Sequence, residues 1–114
     1  MLRTIQYSFP SKADGLEISC LAVVPELERN EKYRGIIQIV HGMSEYKERY
    51  IPFMEYMAER KYISVIHDHR GHGKSVRSKE DLGYMYGGGA DAMLQDIHTV
   101  NCFCLLYTSP SPRD

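Results

Sequence analysis

Two short runs of apolar, mostly β-branched residues limit the folds open to this 114-residue chain. The first run, residues 35–40, reads GIIQIV, and the second, residues 63–66, reads ISVI. Such runs are typical of parallel strands that are covered on both faces. Between them, residues 50–61 predict a helix with one apolar stripe. The stripe consists of Tyr50, Phe53, Met54, Met57 and Ala58. Strand, helix and strand in this order predict a βαβ unit with a right-handed crossover, and therefore the α/β fold class.

An antiparallel hairpin is predicted ahead of this unit. Residues 4–10 and 16–24 have the composition of strands, and Ala13-Asp14-Gly15 between them is a turn signal. In the second strand, apolar residues alternate with Glu17 and Ser19, so one face should be buried and the other partly exposed near its start.

A last helix is predicted after residue 90. Asp91 can cap it, and three apolar residues at helical spacing share one face, namely Met93, Ile97 and Val100. Lys61 stands at the end of the first helix, where a left-handed residue is common and glycine is favoured. We therefore expect some backbone strain at Lys61.

Composition excludes several classes of partner. The net charge is −1, with acidic and basic residues interspersed, so the sequence carries no electrostatic footprint for nucleic acid. No segment approaches the roughly 20 apolar residues of a membrane-spanning helix, and the first residues lack the apolar core of a signal peptide. Three cysteines without a C-x-x-C pair are expected to be reduced thiols. A soluble, cytoplasmic protein is predicted.

The segment HDHRGHGKS, residues 67–75, fits more than one chemistry. Its end looks like a phosphate-binding loop, but Asp68 stands where that motif needs glycine and would repel phosphate. His67, His69 and His72 have a spacing that can bind zinc, as in metallo-β-lactamase-like hydrolases. Against zinc, Gly71 replaces the aspartate of that pattern and Arg70 adds a positive charge among the ligands. A metal-dependent hydrolase remains an alternative.

A second motif, HGMSEYKERY at residues 41–50, precedes the amphipathic helix. Together with DHRGHGKS at residues 68–75, it closely resembles α/β-hydrolase-fold proteins. The nearest branch contains monoacylglycerol lipases, lysophospholipases and serine aminopeptidase-like hydrolases, and the resemblance covers roughly residues 4–103. It implies an N-terminal part of an α/β-hydrolase fold, no cofactor, no metal, and a small lipid or ester substrate.

The resemblance also implies roles for both motifs. The backbone N–H of Met43 would donate to the oxyanion of acyl transfer, with His41 and Gly42 forming the rest of the oxyanion loop. The second motif would be a structural loop near the site. Its residues in that role are Asp68, Arg70, Gly71, His72 and Gly73.

The catalytic triad itself has no candidate in the 114 residues. No serine stands in a G-x-S-x-G motif, which in α/β-hydrolases carries the nucleophile. We therefore expect the sequence to stop before the nucleophile strand, to be inactive alone, and to expose a sheet edge able to self-associate. A non-catalytic binding module of the same fold is a further alternative.

The last eleven residues, CLLYTSPSPRD, resemble a translated sequencing adaptor. The predicted organisation is accordingly a hydrolase portion at residues 1–103 and a non-native or disordered tail at residues 104–114.

Overall fold

The chain forms four strands and two α-helices in a computed structural model that describes residues 2–42, 46–85 and 89–108. In chain order these are β1 (Leu2–Pro10), β2 (Glu17–Pro25), β3 (Gly35–Ile39), α1 (Ile51–Ala58), β4 (Tyr62–His67) and α2 (Gly89–Thr108). Short 3-10 helices lie at Lys47–Tyr50 and Lys79–Asp81. The predicted α/β class is confirmed.

The strands form one mixed sheet in the order β1-β2-β4-β3. β1 and β2 pair antiparallel, as the predicted hairpin requires, and β2 pairs antiparallel with β4. Gly15 has a φ of 78°, a conformation that side chains disfavour, and the Asp14 carboxylate accepts the N–H of Leu16 at 3.1 Å. The hairpin turn is therefore stabilised locally by the residues that predicted it.

The βαβ unit is confirmed, since β3 and β4 are parallel neighbours joined through α1. The buried stripe of α1 is narrower than predicted. The helix has only eight residues, and a single row of its side chains faces the sheet. Met54 and Ala58 are fully buried in that row. Phe53 is 48% exposed, so its assignment to the buried face was wrong. The cluster beneath α1 consists of Leu21, Val23, Met54, Ala58 and Ile66.

Strand β3 lies at one edge of the sheet and is only half-buried along its length. The prediction that both of its faces are covered is not met among the described residues, because an apolar run does not reveal what packs on each face of the sheet. Helix α2 holds this edge through Gln38, whose Nε2 donates to the Ile97 carbonyl at 3.1 Å. Asn101 Nδ2 donates to Gln38 Oε1 at 3.0 Å. One glutamine thus links β3 to two turns of α2.

Helix α2 begins at Gly89, so Asp91 lies inside its first turn rather than at the predicted cap. Its carboxylate still opposes the positive end of the helix dipole. Val100 is buried as expected, whereas Met93 and Ile97 are half-buried. The rest of the buried face is formed by Ala92, Asp96, Thr99 and Cys104. The helix continues to Thr108, past the predicted boundary at residue 103, and the foreign origin of residues 104–114 stays a prediction.

Lys61 connects α1 to β4 with a φ of 73°. Its N–H donates to the Ala58 carbonyl at 2.9 Å, and its own carbonyl accepts the N–H of Arg34 at 2.8 Å. The expected left-handed conformation is confirmed, and for a side-chain-bearing residue it costs roughly 1–2 kcal/mol. Neither described helix is both long and apolar enough to cross a membrane.

Candidate functional site

Two loops meet at the carboxyl edge of the parallel strands. His41 and Gly42 follow β3, and residues 68–75 follow β4, its parallel neighbour. The carboxyl ends of adjacent parallel strands are the usual position of ligand sites in α/β folds. Residues 43–45 lie outside the described residues, so the oxyanion role of the Met43 N–H stays a prediction.

His41 and His69 are joined by two contacts, each between a ring nitrogen of one residue and a backbone atom of the other. The backbone N–H of His69 donates to Nε2 of His41 at 3.0 Å, and Nε2 of His69 lies 2.8 Å from the His41 carbonyl. Because a backbone N–H can only donate, His41 Nε2 is unprotonated and its Nδ1–H points to the Gly42 carbonyl at 2.7 Å. A carbonyl can only accept, so His69 carries its proton on Nε2. His41 is therefore the neutral tautomer with its proton on Nδ1, and His69 has a proton on Nε2.

Asp68 is a fully buried carboxylate that joins the same two loops. It accepts the backbone N–H of Lys47 at 2.7 Å, Nζ of Lys47 at 2.9 Å and the backbone N–H of Lys74 at 3.0 Å. Lys47 is itself 1% exposed and also contacts Glu48 at 2.9 Å. Burial alone would lower the pKa of Lys47, but its bonds to Asp68 and Glu48 raise it overall, so the ammonium stays charged.

Arg70 is also fully buried, and it bonds to three separate parts of the chain. Its Nη1 and Nη2 donate to the two carboxylate oxygens of Asp14 at 3.0 and 2.9 Å, and its Nε donates to Asp96 at 3.1 Å. Further bonds reach Ser11 Oγ at 3.0 Å and the Met85 carbonyl at 3.2 Å. The guanidinium lowers the pKa of Asp14 to about 2. Arg70 thus connects the hairpin turn, the loop after β4 and α2.

Two glycines allow the loop after β4 to fold this tightly. Gly71 has a φ of 78° and Gly73 a φ of 50°. A Cβ on Gly73 would lie 2.4 Å from the Asp68 carboxylate, and a Cβ on Gly71 would lie 2.2 Å from the Tyr84 carbonyl oxygen. Both positions therefore exclude side chains for conformational and for steric reasons.

The remaining polar groups of the loop attach it to β2 and to itself. Ser75 Oγ donates to the Asp68 carbonyl at 2.8 Å and accepts the N–H of Ser19 at 2.9 Å. His72 Nδ1 lies 3.1 Å from the Arg70 carbonyl and so carries a proton. Asp68, Arg70 and His72 use their polar atoms on the protein itself, which is the arrangement of a scaffold loop.

The zinc alternative needs His67, His69 and His72 to direct ring nitrogens at one point. Their ring centroids are 5.4 Å apart for His67 and His69 and 6.0 Å apart for His69 and His72, so the direction of the nitrogens decides whether they can share a metal ion. Nε2 of His69 and Nδ1 of His72 are already directed at carbonyl oxygens. Among the described residues, no three His, Cys, Asp or Glu side chains converge as metal ligands would. The donor arrangement does not fit the proposed zinc site.

His67 is fully buried at the end of β4, and neither of its ring nitrogens has a partner among the described residues. Burial, followed by the neighbouring rings of His69 and His41, lowers its pKa to about 4. Burial, followed by His41, lowers the pKa of His69 as well, while Asp68 acts in the opposite direction on both rings. The protein therefore folds around uncharged imidazoles.

Acid is expected to destabilise the fold through His67. Its folded pKa lies below the ordinary value of 6.5, so its contribution is complete above pH 6.5 and is lost as the pH falls toward 4. A shift of this size corresponds to about 3 kcal/mol of unfolding free energy. Urea denaturation at several pH values measures this loss. His67→Phe should flatten the profile between pH 6.5 and 4, whereas the exposed control His98→Asn should leave it unchanged. Equal slopes in the wild type and His67→Phe would contradict the assignment.

Ser11 and Ser75 are two buried serines close to the two loops. Ser11 Oγ donates to Asp96 at 2.6 Å and Ser75 Oγ donates to a carbonyl, so neither hydroxyl is paired with a histidine base. Sequence reasoning found Asp68, Arg70 and both glycines but missed Lys47 and the His41–His69 pair. The sequence shows the composition of the loop but not its partners. Lys47 lies 21 residues from Asp68 along the chain, and His41 lies 28 residues from His69.

Comparison with known proteins identifies the family. The family model described as serine aminopeptidase, S33 (Hydrolase_4), matches residues 31–105, about two-thirds of the chain. This match includes β3, α1, β4 and both loops. A search of curated proteins found no match.

Solved structures share the fold. A thermostable carboxyl esterase from Bacillus coagulans, in complex with glycerol, has a TM-score of 0.77 at 27% identity, covering 91% of this chain and 32% of the esterase. A soluble variant of monoglyceride lipase from Saccharomyces cerevisiae has a TM-score of 0.70 at 19% identity, covering 90% and 30%. A cold-adapted esterase from an Arctic intertidal metagenomic library gives 0.68 at 19% identity, covering 97% and 48%.

The chain thus spans about a third of the length of the first two of these structures. The matched segment contains the βαβ unit and the two interlocked loops described above. The chain belongs to the serine aminopeptidase S33 family and has the fold of the N-terminal portion of an α/β-hydrolase.

Proposed function

We propose that this chain is part of a serine hydrolase that cleaves carboxylic esters of the monoacylglycerol or lysophospholipid type. The observation that carries the proposal is the attachment of His41 and Lys47 to the loop after β4, at the carboxyl edge of two parallel strands. Family membership supports hydrolysis, and the 27% identity to a carboxyl esterase favours esters over other acyl substrates.

In the proposed reaction, a serine hydroxyl attacks the ester carbonyl, a histidine takes up its proton, and a carboxylate orients that histidine. The backbone N–H of Met43 stabilises the resulting oxyanion. Asp68, Arg70, Gly71, His72 and Gly73 support this segment without reacting. We place the serine outside these 114 residues, because none of their serines has a G-x-S-x-G context, and the acid and histidine follow the serine in the chain order of α/β-hydrolases. We place the protein in the cytoplasm, consistent with three free cysteines.

Two measurements test the proposal. The purified 114-residue chain should neither turn over a short-chain nitrophenyl ester nor bind a serine-directed fluorophosphonate. A longer protein from the same gene should hydrolyse 1-monoacylglycerol or lysophosphatidylcholine and lose this activity when its G-x-S-x-G serine becomes alanine. Labelling of the 114-residue chain, or hydrolysis by the longer protein of aminoacyl nitroanilides but of neither lipid, would refute it.

We also propose that the chain alone self-associates through β3. This strand has one hydrogen-bonded neighbour, β4, among the described residues, and Val40 just beyond it is 48% exposed. An unpaired apolar edge is a template for another strand. Sedimentation velocity should show a concentration-dependent increase in mass that Ile37→Lys reduces. A monomer at all concentrations would exclude the proposal.

A further inference from the structure

The segment between His41 and Lys47 is attached at both ends to two consecutive residues. At its start, His41 accepts the backbone N–H of His69 and its carbonyl faces Nε2 of the same residue, at 3.0 and 2.8 Å. At its end, Lys47 gives both its backbone N–H and its Nζ to Asp68, at 2.7 and 2.9 Å. All four contacts come from Asp68 and His69.

Lys47 is an unusual residue for such a position. A lysine ammonium is strongly hydrated, and removing it from water together with a carboxylate costs several kcal/mol per ion. An apolar pair of similar size often stabilises a fold equally well or better. Lys47 and Asp68 are 1% and 0% exposed, so a gain in stability does not explain why this ion pair is buried. A role in fixing geometry explains it better.

The geometry of the pair supports that role. One carboxylate binds the backbone and the side-chain tip of the same residue, so it fixes both the position of residue 47 and its orientation. The second oxygen of Asp68 also accepts the N–H of Lys74, and Gly73 lies against the carboxyl group too closely for a Cβ. Asp68 consequently cannot move without disturbing its own loop.

We infer that Lys47 is a positioning residue that, with His69, fixes the ends of the segment carrying the oxyanion donor. The catalytic part of this inference rests on the proposed function, because it is there that the Met43 N–H acts on substrate. The attachment itself is a property of this chain and can be tested without substrate.

The test is amide hydrogen exchange of the purified chain, resolved by NMR. Lys47→Met retains the aliphatic stem and removes the ammonium, and the amides of Gly42 and Tyr46 should then exchange about tenfold faster. Amides of β2 and β4 report the general loss of stability that an unpaired Asp68 causes, so the readout is the rise at Gly42 and Tyr46 beyond the rise in these strands. Lys47→Arg should restore most of the protection, because it again places a cation beside Asp68. Lys74→Met is the matched control, since Lys74 uses only its backbone N–H on Asp68.

Unchanged exchange at Gly42 and Tyr46 in Lys47→Met would overturn the inference. A uniform rise across the sheet would also overturn it, because Lys47 would then be only a stabilising residue. Should Lys47→Met fail to fold, Lys47→Gln retains a shorter donor and is judged by the same comparison. In an active longer protein, Lys47→Met should lower kcat about tenfold at unchanged KM. Local exchange without a change in kcat would retain the attachment and reject the oxyanion role.

Discussion

Replacement of Arg70 by methionine is expected to lower the free energy of unfolding by about 3–5 kcal/mol. The substitution leaves Asp96, which is fully buried, without its cationic partner and removes both bonds to Asp14. An unpaired buried carboxylate retains its desolvation cost while losing the attraction that offset it. Because a domain of this size has only about 5–15 kcal/mol of total stability, the variant should be partly or wholly unfolded.

Urea denaturation followed by far-UV circular dichroism measures this loss. Arg29→Met is the matched control, since Arg29 is exposed, and it should change the unfolding free energy by less than about 0.5 kcal/mol. The double variant Arg70→Met/Asp96→Asn should recover part of the loss, because the unpaired charge is removed along with its partner. A loss below about 1 kcal/mol in Arg70→Met would show that water reaches Asp96 and that the buried network is not as described.

Replacement of Gly71 by alanine is the second large effect. Its Cβ would lie 2.2 Å from the Tyr84 carbonyl oxygen, so backbone must move to admit it. The left-handed backbone adds roughly 1–2 kcal/mol and the overpacking roughly 1–3 kcal/mol. We expect a total destabilisation of about 2–5 kcal/mol.

Gly83→Ala separates the two contributions. Gly83 also has a positive φ, 89°, but a Cβ there meets nothing within 4 Å. Its alanine variant should therefore show only the backbone cost, and the difference between the variants measures the clash. Equal midpoints of thermal unfolding for the two variants would mean that the loop yields to the added methyl group and that its close approach to Tyr84 is not required.

The elements that could be predicted are those whose signals are local. The hairpin depends on Gly15 and its neighbours, and the βαβ unit on two apolar runs and the helix between them. The positive φ of Lys61 could be predicted because a helix end has its own stereochemistry. The errors at Phe53 and β3 concern burial, which depends on what lies across the sheet and not on spacing along the chain.

The predictions for the site also succeeded where the signal was local and failed where it depended on distant residues. The family resemblance implied a structural loop at DHRGHGKS, and Gly71 and Gly73 in this loop have positive φ. Lys47 was not predicted to belong to the site, because the charged run Lys47-Glu48-Arg49 is typical of a solvent-exposed turn. Only the fold places Lys47 beside Asp68. His67 and His69 attracted attention as metal ligands, whereas His69 bonds to His41 and His67 remains an uncharged ring in the interior.

The long reach of the Arg70 network has a consequence for the order of folding. Ser11 and Asp96 are separated by 85 residues and bonded at 2.6 Å, and Arg70 contacts both. Contacts of such separation form late, because closing a long loop costs entropy before any bond is made. During synthesis, the hairpin and the βαβ unit can assemble first, while the Arg70 guanidinium stays hydrated. Burial of its charge must wait until α2 brings Asp96 into place, so docking of that helix completes the Arg70 network.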